Sequence, residues 1–209
     1  MCYRIELKTG IKEIANRFNA NFDPPASTLF NSEINGFDFA PHPIITDSNP
    51  QLITSDYIWG LIPAWSKDDS IKKNTLNAKV ETLAERAAFR DIIINRCLVI
   101  ATGYFEWRWN DERGKLKQKF EIHSSEEAIF AFAGLYANWT HPANGNIIKS
   151  FTIITTEANR QMQYIHNMKM RMPIMLNKSD ETVWLHGASH EKFSYPNYNA
   201  ELIAFAVNS

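Results

Sequence analysis

The chain has 209 residues, of which 44% are hydrophobic, 12% aromatic and 22% charged, and its formal net charge is −1. This length and apolar content are typical of a globular domain with a packed core, and they exclude a disordered or collagen-like protein. The longest apolar run, residues 128–137, is about half as long as a membrane span, so no segment is expected to cross a membrane.

The N-terminal sequence MCYRIELK lacks the apolar core and the small-residue cleavage site of a secretory signal. The two cysteines, Cys2 and Cys97, are too few for a disulfide framework and indicate free thiols in a reducing compartment. We therefore expect a cytoplasmic protein.

The elements expected in chain order begin with a long loop. Residues 21–50 are rich in Asn, Asp, Pro and Phe, which predicts a loop with short extended pieces. Five later segments predict strands, because they are short, rich in β-branched or aromatic residues and closed by turn residues. These strands are 52–59, 97–102, 119–123, 128–136 and 150–156. Residues 110–114 lie between two alternating apolar stretches and predict the tip of a hairpin.

One longer helix is predicted at residues 81–94. Four apolar side chains recur there near one helical face, with charged residues between them. They are Leu83, Ala87, Phe89 and Ile93.

Two shorter helices are predicted at residues 157–165, capped by Thr155 or Thr156, and at residues 180–186, capped by Ser179. Many strands with a few inserted helices predict the α+β class, with a mainly antiparallel sheet or barrel-like core. No linker or internal repeat divides the chain, so we expect a single domain over residues 1–209.

The charge is unevenly distributed. Residues 65–119 hold twelve Lys or Arg and eight Asp or Glu, a net charge of +4, and residues 149–178 also carry +4. The rest of the chain therefore carries −9. The two positive segments predict either a basic face that binds phosphates or ordinary solvated charge.

Cys2 is the residue with the most distinctive chemistry. Removal of Met1 would leave a thiol and a free α-amine on adjacent carbons, and both are nucleophiles near neutral pH. Together they can condense with an aldehyde to form a five-membered thiazolidine, or act as an N-terminal nucleophile in amide hydrolysis. The alternative is an incidental cysteine at position 2.

Five sequence blocks follow Cys2 in a characteristic order. They are WGLIPAW at 59–65, NAKVET at 77–82, RCLV at 96–99, GYFEW at 103–107, and His166 with RMP at 171–173. This arrangement resembles the SRAP family, the SOS response-associated peptidase or abasic-site processing proteins. The resemblance extends over essentially the whole chain.

The resemblance implies a protein that binds single-stranded DNA containing abasic sites and traps the ring-opened sugar aldehyde as a thiazolidine through Cys2. It also implies a peptidase-like activity that exposes Cys2 and, in some members, strand cleavage at abasic sites. Such a protein would associate with the nucleoid when bound to damaged DNA.

Three further residues are expected to carry the chemistry with Cys2. Glu106 lies between aromatic residues that would desolvate its carboxyl and raise its pKa into an acid–base range. His166 resembles the family's catalytic histidine and can protonate the departing sugar oxygen or hold the ring-opened form. Asn77 resembles the active-site asparagine, whose amide can both donate and accept hydrogen bonds. Read without the family, these are a surface glutamate, a structural histidine and a turn asparagine.

Six residues are candidates for contact with DNA. Trp65 can stack on bases beside the lesion, although an aromatic residue in such a block is equally typical of a core. The others are expected near phosphates or near the lesion: Arg4, Lys79, Arg90, Thr156 and Arg171.

The chain departs from the family pattern at three positions. Arg171 lies five residues after His166, whereas many members have two, so the contacts of both side chains are open. Lys79 stands where many members have Arg, which removes a bidentate phosphate contact. Asp38 occupies a position that is often Asn.

Two other functions compete with aldehyde capture. One is a thiol peptidase or autopeptidase that uses Cys2, Glu106 and His166, and the other is a non-catalytic single-stranded DNA-binding module. The histidines show no zinc-ligand spacing with one another or with Cys97. We expect no metal, no cofactor and a monomer.

Overall fold

The computed structural model describes residues 2–23 and 29–207, and strands dominate this part of the chain. The strands are β1 Arg4–Gly10, β2 Asn21–Asp23, β3 Leu29–Asn35, β4 Pro41–Thr46, β5 Asn49–Trp59, β6 Asn77–Lys79, β7 Arg96–Ala101, β8 Gly103–Trp109, β9 Lys117–Ser124, β10 Phe130–Thr140, β11 Ile147–Glu157, β12 Arg171–Pro173, β13 Met175–Leu176 and β14 Leu202–Val207. The helices are α1 Ile11–Phe18, α2 Arg160–Ile165 and α3 Lys178–Leu185.

Five strands close into a small barrel. The neighbours β5, β4, β7, β10 and β11 pair antiparallel in that order. A parallel pairing of β5 with β11, with Ile58 opposite Ser150, completes the ring. The short strand β6 extends this edge by pairing parallel to β11. Closure removes the free sheet edges that these strands would otherwise expose.

A second, antiparallel sheet has the strand order β14-β9-β8-β1-β3. Its centre places Arg4 of β1 opposite Phe105 of β8, so the start of the chain lies beside the strand that carries Glu106. The predicted α+β class with a mainly antiparallel, barrel-like core is confirmed.

Buried aromatic residues connect the barrel to the site. Trp59 is fully buried, lies nearly parallel to Phe151 with a centroid separation of 6.3 Å, and donates its indole N–H to the Leu76 carbonyl at 2.8 Å. Because Leu76 directly precedes Asn77, this bond fixes the start of β6 against the core.

The predicted helix at residues 81–94 is wrong. This segment forms two 3-10 turns, Val80–Thr82 and Arg90–Ile92, joined by isolated turns. Leu83 and Phe89 are buried, as their spacing indicated. The backbone hydrogen bonds of this segment close separate turns, such as Arg86 N–H to the Thr82 carbonyl and Arg90 N–H to the Arg86 carbonyl, and Trp65 Nε1 donates to the Ala87 carbonyl at 3.0 Å.

The other helices begin where backbone donors find a cap. Helix α2 begins at Arg160, after Asn159, whose side chain accepts from the Met162 N–H at 2.9 Å. The predicted caps Thr155 and Thr156 instead lie in β11, which continues to Glu157.

Helix α3 begins one residue before the predicted cap Ser179, with Asn177 at the N-cap position. The predicted loop at residues 21–50 is largely strand, although its residues 24–28 lie outside the described part of the chain. Helix α1 was not predicted.

The five predicted strands are observed, with ends that shift by up to four residues. The predicted hairpin tip is also observed, because Asn110 N–H donates to the Leu116 carbonyl at 2.8 Å between β8 and β9. No helix in the described part of the chain combines the length and the apolar character that a bilayer span requires.

Gly134→Ala tests the tightness of the barrel. A Cβ atom there would lie 2.8 Å from Cys97 Sγ and 2.9 Å from the Thr152 carbonyl, so we expect a loss of roughly 1–3 kcal/mol in the free energy of unfolding. Urea denaturation measures this loss. The matched control is Gly10→Ala, whose Cβ would meet the movable end of Glu13 and should cost less than about 0.5 kcal/mol. Equal stability of the two variants would contradict this packing.

Candidate active site

Cys2 lies at the start of the second sheet in a fully buried position. Its thiol contacts the Arg4 carbonyl at 3.7 Å, and its own carbonyl accepts from Asn77 Nδ2 at 2.8 Å. Asn77 Oδ1 is buried and has no hydrogen-bond partner among the described residues. The structure therefore brings Asn77, from β6 at the barrel edge, to the backbone of Cys2.

Glu106 and His166 lie close together although 60 positions separate them in the chain. Their side chains are 6% and 10% exposed, and His166 Nε2 lies 3.8 Å from Glu106 Oε2. The histidine follows α2 directly, and its Nδ1 donates to the Arg171 carbonyl at 2.8 Å. Because a carbonyl only accepts, Nδ1 carries the proton, and in the neutral ring Nε2 presents a lone pair toward Glu106.

Burial moves the pKa values of these two groups in opposite directions. It raises the pKa of Glu106 to about 7 and lowers the pKa of His166 to about 4. At neutral pH the carboxyl therefore exchanges its proton readily, and the imidazole is neutral. Such divergent values make Glu106 and His166 candidates for an acid–base pair.

The thiol of Cys2 belongs to the same electrostatic group. Burial, and next the negative charge of Glu106, raise the pKa of the Cys2 thiol well above its ordinary value. The thiol is therefore protonated near neutral pH and reacts only when a neighbouring base accepts its proton.

Four of the six candidate DNA-contact residues are exposed or partly exposed: Trp65, which is described below, and three cations. Arg4 is 42% exposed and pairs with Glu33 at 2.6 Å. Lys79 ends β6 on the surface, and Arg90 is 56% exposed beside Asp91 at 3.5 Å.

Thr156 and Arg171 are buried and bonded within the protein. The Thr156 hydroxyl accepts from the Tyr195 N–H at 3.0 Å. The Arg171 guanidinium forms a bidentate ion pair with Glu81 and also donates to the Thr155 carbonyl, each contact at 2.8 Å. The structure thus separates these two residues from the exposed candidates.

Trp65 borders an open cavity of about 540 Å³, which we call the Trp65 cleft. Trp65 is 54% exposed, and Asn77 lies in the cleft wall, so the cleft reaches the residue that holds Cys2. Among the residues that the structure describes, its lining includes Lys79 and Arg86 and no acidic residue. The full lining is Trp65, Ile71, Asn74, Thr75, Asn77, Lys79, Thr82, Arg86, Ala87, Ala88 and Phe89.

Arg86 is a residue that the sequence reasoning missed. It lies within the positive segment 65–119, but a helical reading of residues 81–94 does not point it at a cleft. Glu81 was also missed, since nothing in the sequence links it to Arg171, 90 positions away.

One further group of side chains has the composition of a metal site. Glu6, Glu121 and His123 bring three potential ligand atoms within 4.8 Å of one another on the second sheet. Lys8 forms an ion pair with Glu6, and His123 Nε2 lies 3.0 Å from Glu121. Charge pairing within the protein accounts for this cluster.

The family model of the SOS response associated peptidase (SRAP) matches residues 1–208 of the chain. The chain belongs to this family. The predicted resemblance is thereby confirmed, and it covers both the barrel and the second sheet.

Similar proteins extend this SRAP assignment. The Bacillus subtilis protein named abasic site processing protein YoqW is 35% identical over 97% of this chain and 86% of its own length. The chicken protein named abasic site processing protein HMCES is 30% identical over 66% of this chain and 46% of its own length. A crystal structure of a Bacteroides thetaiotaomicron protein has a TM-score of 0.87 at 30% identity, covering 99% of this chain and 92% of that one.

Glu106→Gln tests the burial of the Glu106 carboxyl in this SRAP protein. In the wild type the folded carboxyl keeps a proton that the unfolded chain releases, so stability falls as the pH rises from about 4.5 to about 7. The variant lacks this loss, and its stability relative to the wild type should rise by up to about 3 kcal/mol across that range.

Urea denaturation at several pH values measures the difference. Glu112→Gln, at the exposed hairpin tip, controls for the loss of one negative charge. A pH dependence that is the same in Glu106→Gln and wild type would contradict the burial of a titrating carboxyl.

Proposed function

We propose that this SRAP protein processes abasic sites: it binds single-stranded DNA and captures the ring-opened sugar aldehyde through Cys2 after Met1 is removed. The names of the bacterial and vertebrate relatives support abasic-site processing. The observation that carries the proposal is the placement of Cys2, second in the chain: the pairing of β1 with β8 sets it beside the strand of Glu106, a buried carboxyl whose charge acts on the Cys2 thiol and whose pKa is about 7.

The capture reaction balances without any further reagent. The α-amine of Cys2 adds to the aldehyde carbon, and loss of water gives an imine. The sulfur then adds to the imine carbon, and the thiol proton passes to the nitrogen, which closes the thiazolidine. Each step moves a proton, so a carboxyl titrating near neutral pH is suited to shuttle it.

The surrounding residues divide the remaining tasks. Asn77 holds the backbone of Cys2 by donating from Nδ2 to the Cys2 carbonyl. Its Oδ1 stays available as an acceptor. His166, neutral and protonated on Nδ1, can accept a proton on Nε2 when the sugar ring opens. Pre-positioning of this kind lowers the entropic cost of the reaction.

The Trp65 cleft is the proposed path of the DNA strand. An exposed indole offers a stacking surface, while Lys79 and Arg86 neutralise phosphates without a competing acid in the cleft wall. We place Arg4 and Arg90 on the flanks of this path. Contact with DNA by Thr156 or Arg171 would require exchange of their present bonds within the protein.

Removal of Met1 by the protein itself is a second candidate activity. The description of the family as a peptidase supports it, as does the approach of His166 to within 3.8 Å of Glu106, which lies in the strand next to the start of the chain. Intact-mass spectrometry separates the alternatives. Autocatalysis predicts that Met1 is retained in Glu106→Gln and lost in the wild type, whereas a cellular aminopeptidase would remove it from both.

Cys2→Ala should abolish a covalent adduct with abasic DNA, and Glu106→Gln should slow its formation. The physical reason is that the first variant lacks the sulfur that closes the ring, and the second lacks the proton-transfer group. The adduct is measured as a heat-stable band in a denaturing gel, using an oligonucleotide whose uracil has been excised enzymatically.

Cys97→Ala is the matched control, because Cys97 is the other thiol of the chain and is also fully buried. DNA whose abasic aldehyde has been reduced beforehand should form no adduct with any variant. An undiminished adduct with Cys2→Ala would overturn the proposal. If the protein retains reduced DNA and abasic DNA equally under denaturing conditions, the non-catalytic binding module is favoured.

Trp65→Ala should weaken binding of single-stranded DNA by about 1–3 kcal/mol, because a stacked base loses its aromatic partner. Lys79→Gln should reduce the slope of log affinity against log salt by about 0.7, the value for one phosphate contact on a single strand. Fluorescence anisotropy at several salt concentrations measures both. Ile147→Ala, which removes another exposed apolar side chain, is the control. Wild-type affinity in both variants would exclude the cleft as the DNA path.

A further inference from the structure

We infer that Glu81 and Arg171 are positioning residues that fix the orientation of His166, and that Arg171 does not serve as a phosphate ligand. The inference rests on the proposed function for its reaction, but the geometry that carries it lies wholly within the protein. It concerns the segment in which Arg171 lies five positions after His166, with four residues between them.

Both terminal nitrogens of the Arg171 guanidinium have partners within the protein, and its Nε is buried without a partner among the described residues. Nη1 and Nη2 bind the two carboxylate oxygens of Glu81, each at 2.8 Å, and Nη2 also donates to the Thr155 carbonyl at 2.8 Å. The Arg171 side chain is 10% exposed and that of Glu81 is 36% exposed. A phosphate would have to displace a bidentate carboxylate, which is already a strong partner for arginine.

The backbone of Arg171 forms the connection to His166. Its carbonyl is the acceptor of the imidazole Nδ1–H at 2.8 Å. Arg171 begins β12, where it pairs with Glu157 of β11. The ion pair to Glu81 therefore anchors the strand whose carbonyl selects the imidazole tautomer.

The four residues between His166 and Arg171 form a closed, bonded loop. Met170 N–H donates to the His166 carbonyl at 2.9 Å, and Ala158 N–H donates to the Met170 carbonyl at 2.9 Å. Asn167 bonds both backbone groups of Trp109 in β8, at 3.0 and 2.9 Å. The loop thus ties β12 to the strand that carries Glu106, and Arg171 closes it from the other side.

Removal of Glu81 would leave a buried guanidinium without its counter-charge. Such a group seeks water or another acceptor, so the start of β12 would shift. The Arg171 carbonyl would move with it, and His166 would no longer be held with Nε2 toward Glu106. None of these contacts involves DNA, so the affinity for DNA should not change.

Glu81→Gln tests the inference because it removes the charge and preserves the size of the side chain. At saturating abasic DNA the rate of adduct formation should fall on the order of 10- to 100-fold, as for a misplacement of about 1 Å. Imidazole ¹⁵N spectra should change from a single Nδ1–H tautomer of His166 in the wild type to a mixture. Glu85→Gln, an exposed neighbouring acid, should leave both readouts unchanged.

Arg171→Lys provides a second variant that retains the positive charge and loses the bidentate geometry. Positioning predicts a slower rate with an unchanged salt slope of DNA binding. A phosphate ligand predicts instead that Arg171→Gln reduces the slope by about 0.7 while the spectrum of His166 is unaffected. That result, or an unchanged tautomer in Glu81→Gln, would overturn the inference.

The spectra keep this test separate from the proposed function. If the wild type forms no adduct, aldehyde capture is refuted, while the tautomer of His166 in wild type and Glu81→Gln still decides the positioning role. If the wild type forms the adduct and Glu81→Gln behaves identically in both readouts, only the positioning role is refuted.

Discussion

The site depends on the burial of one carboxyl group. The chain has a net charge of only −1, and within it Glu106 is 5% exposed. The Glu106 carboxyl has therefore lost most of its contact with water. Burial destabilises the carboxylate relative to the acid and brings the pKa of Glu106 to about 7. The same burial raises the pKa of the Cys2 thiol and keeps His166 neutral, so one desolvated volume adjusts all three groups.

The architecture supplies this desolvated volume by joining two sheets at the start of the chain. Strand β1 brings Cys2 beside β8, which carries Glu106, and the barrel edge supplies Asn77 through β6. The parallel pairing of β6 with β11 also brings together the two positively charged segments of the sequence. The reactive group and the basic cleft are therefore neighbours, because the same strand serves both.

The sequence was most informative where local pattern and tertiary environment agree. The strands at 97–102 and 150–156 have continuous apolar or β-branched character, and burial on both faces of the barrel retains that pattern. The helix at 81–94 was wrong, since this segment folds as separate turns, and its Ala87 carbonyl accepts a bond from Trp65, 22 positions away. Periodicity describes which residues are buried, but it does not show which backbone groups have partners elsewhere.

The candidate site divides along the same line. Cys2, Asn77, Glu106 and His166 are visible in the sequence because their chemistry and the family blocks mark them. The partner of Arg171 is not visible, since a salt bridge between residues 90 positions apart leaves no local signal. The cleft lined by Arg86 is hidden for a related reason, because its wall consists of turns where a helix was expected.

The sequence by itself determined the family and the fold class and marked Cys2 as the candidate nucleophile, because these depend on residue identities and on their order along the chain. The aromatic neighbours of Glu106 predicted a raised pKa, but only the tertiary structure decided how deeply Glu106 and His166 are buried and therefore how far their pKa values shift. The tertiary structure also decided which Lys and Arg side chains face the surface and which are buried in ion pairs. The charge state and the burial of a side chain depend on its neighbours in space, and the folded sheets bring those neighbours together from distant parts of the chain.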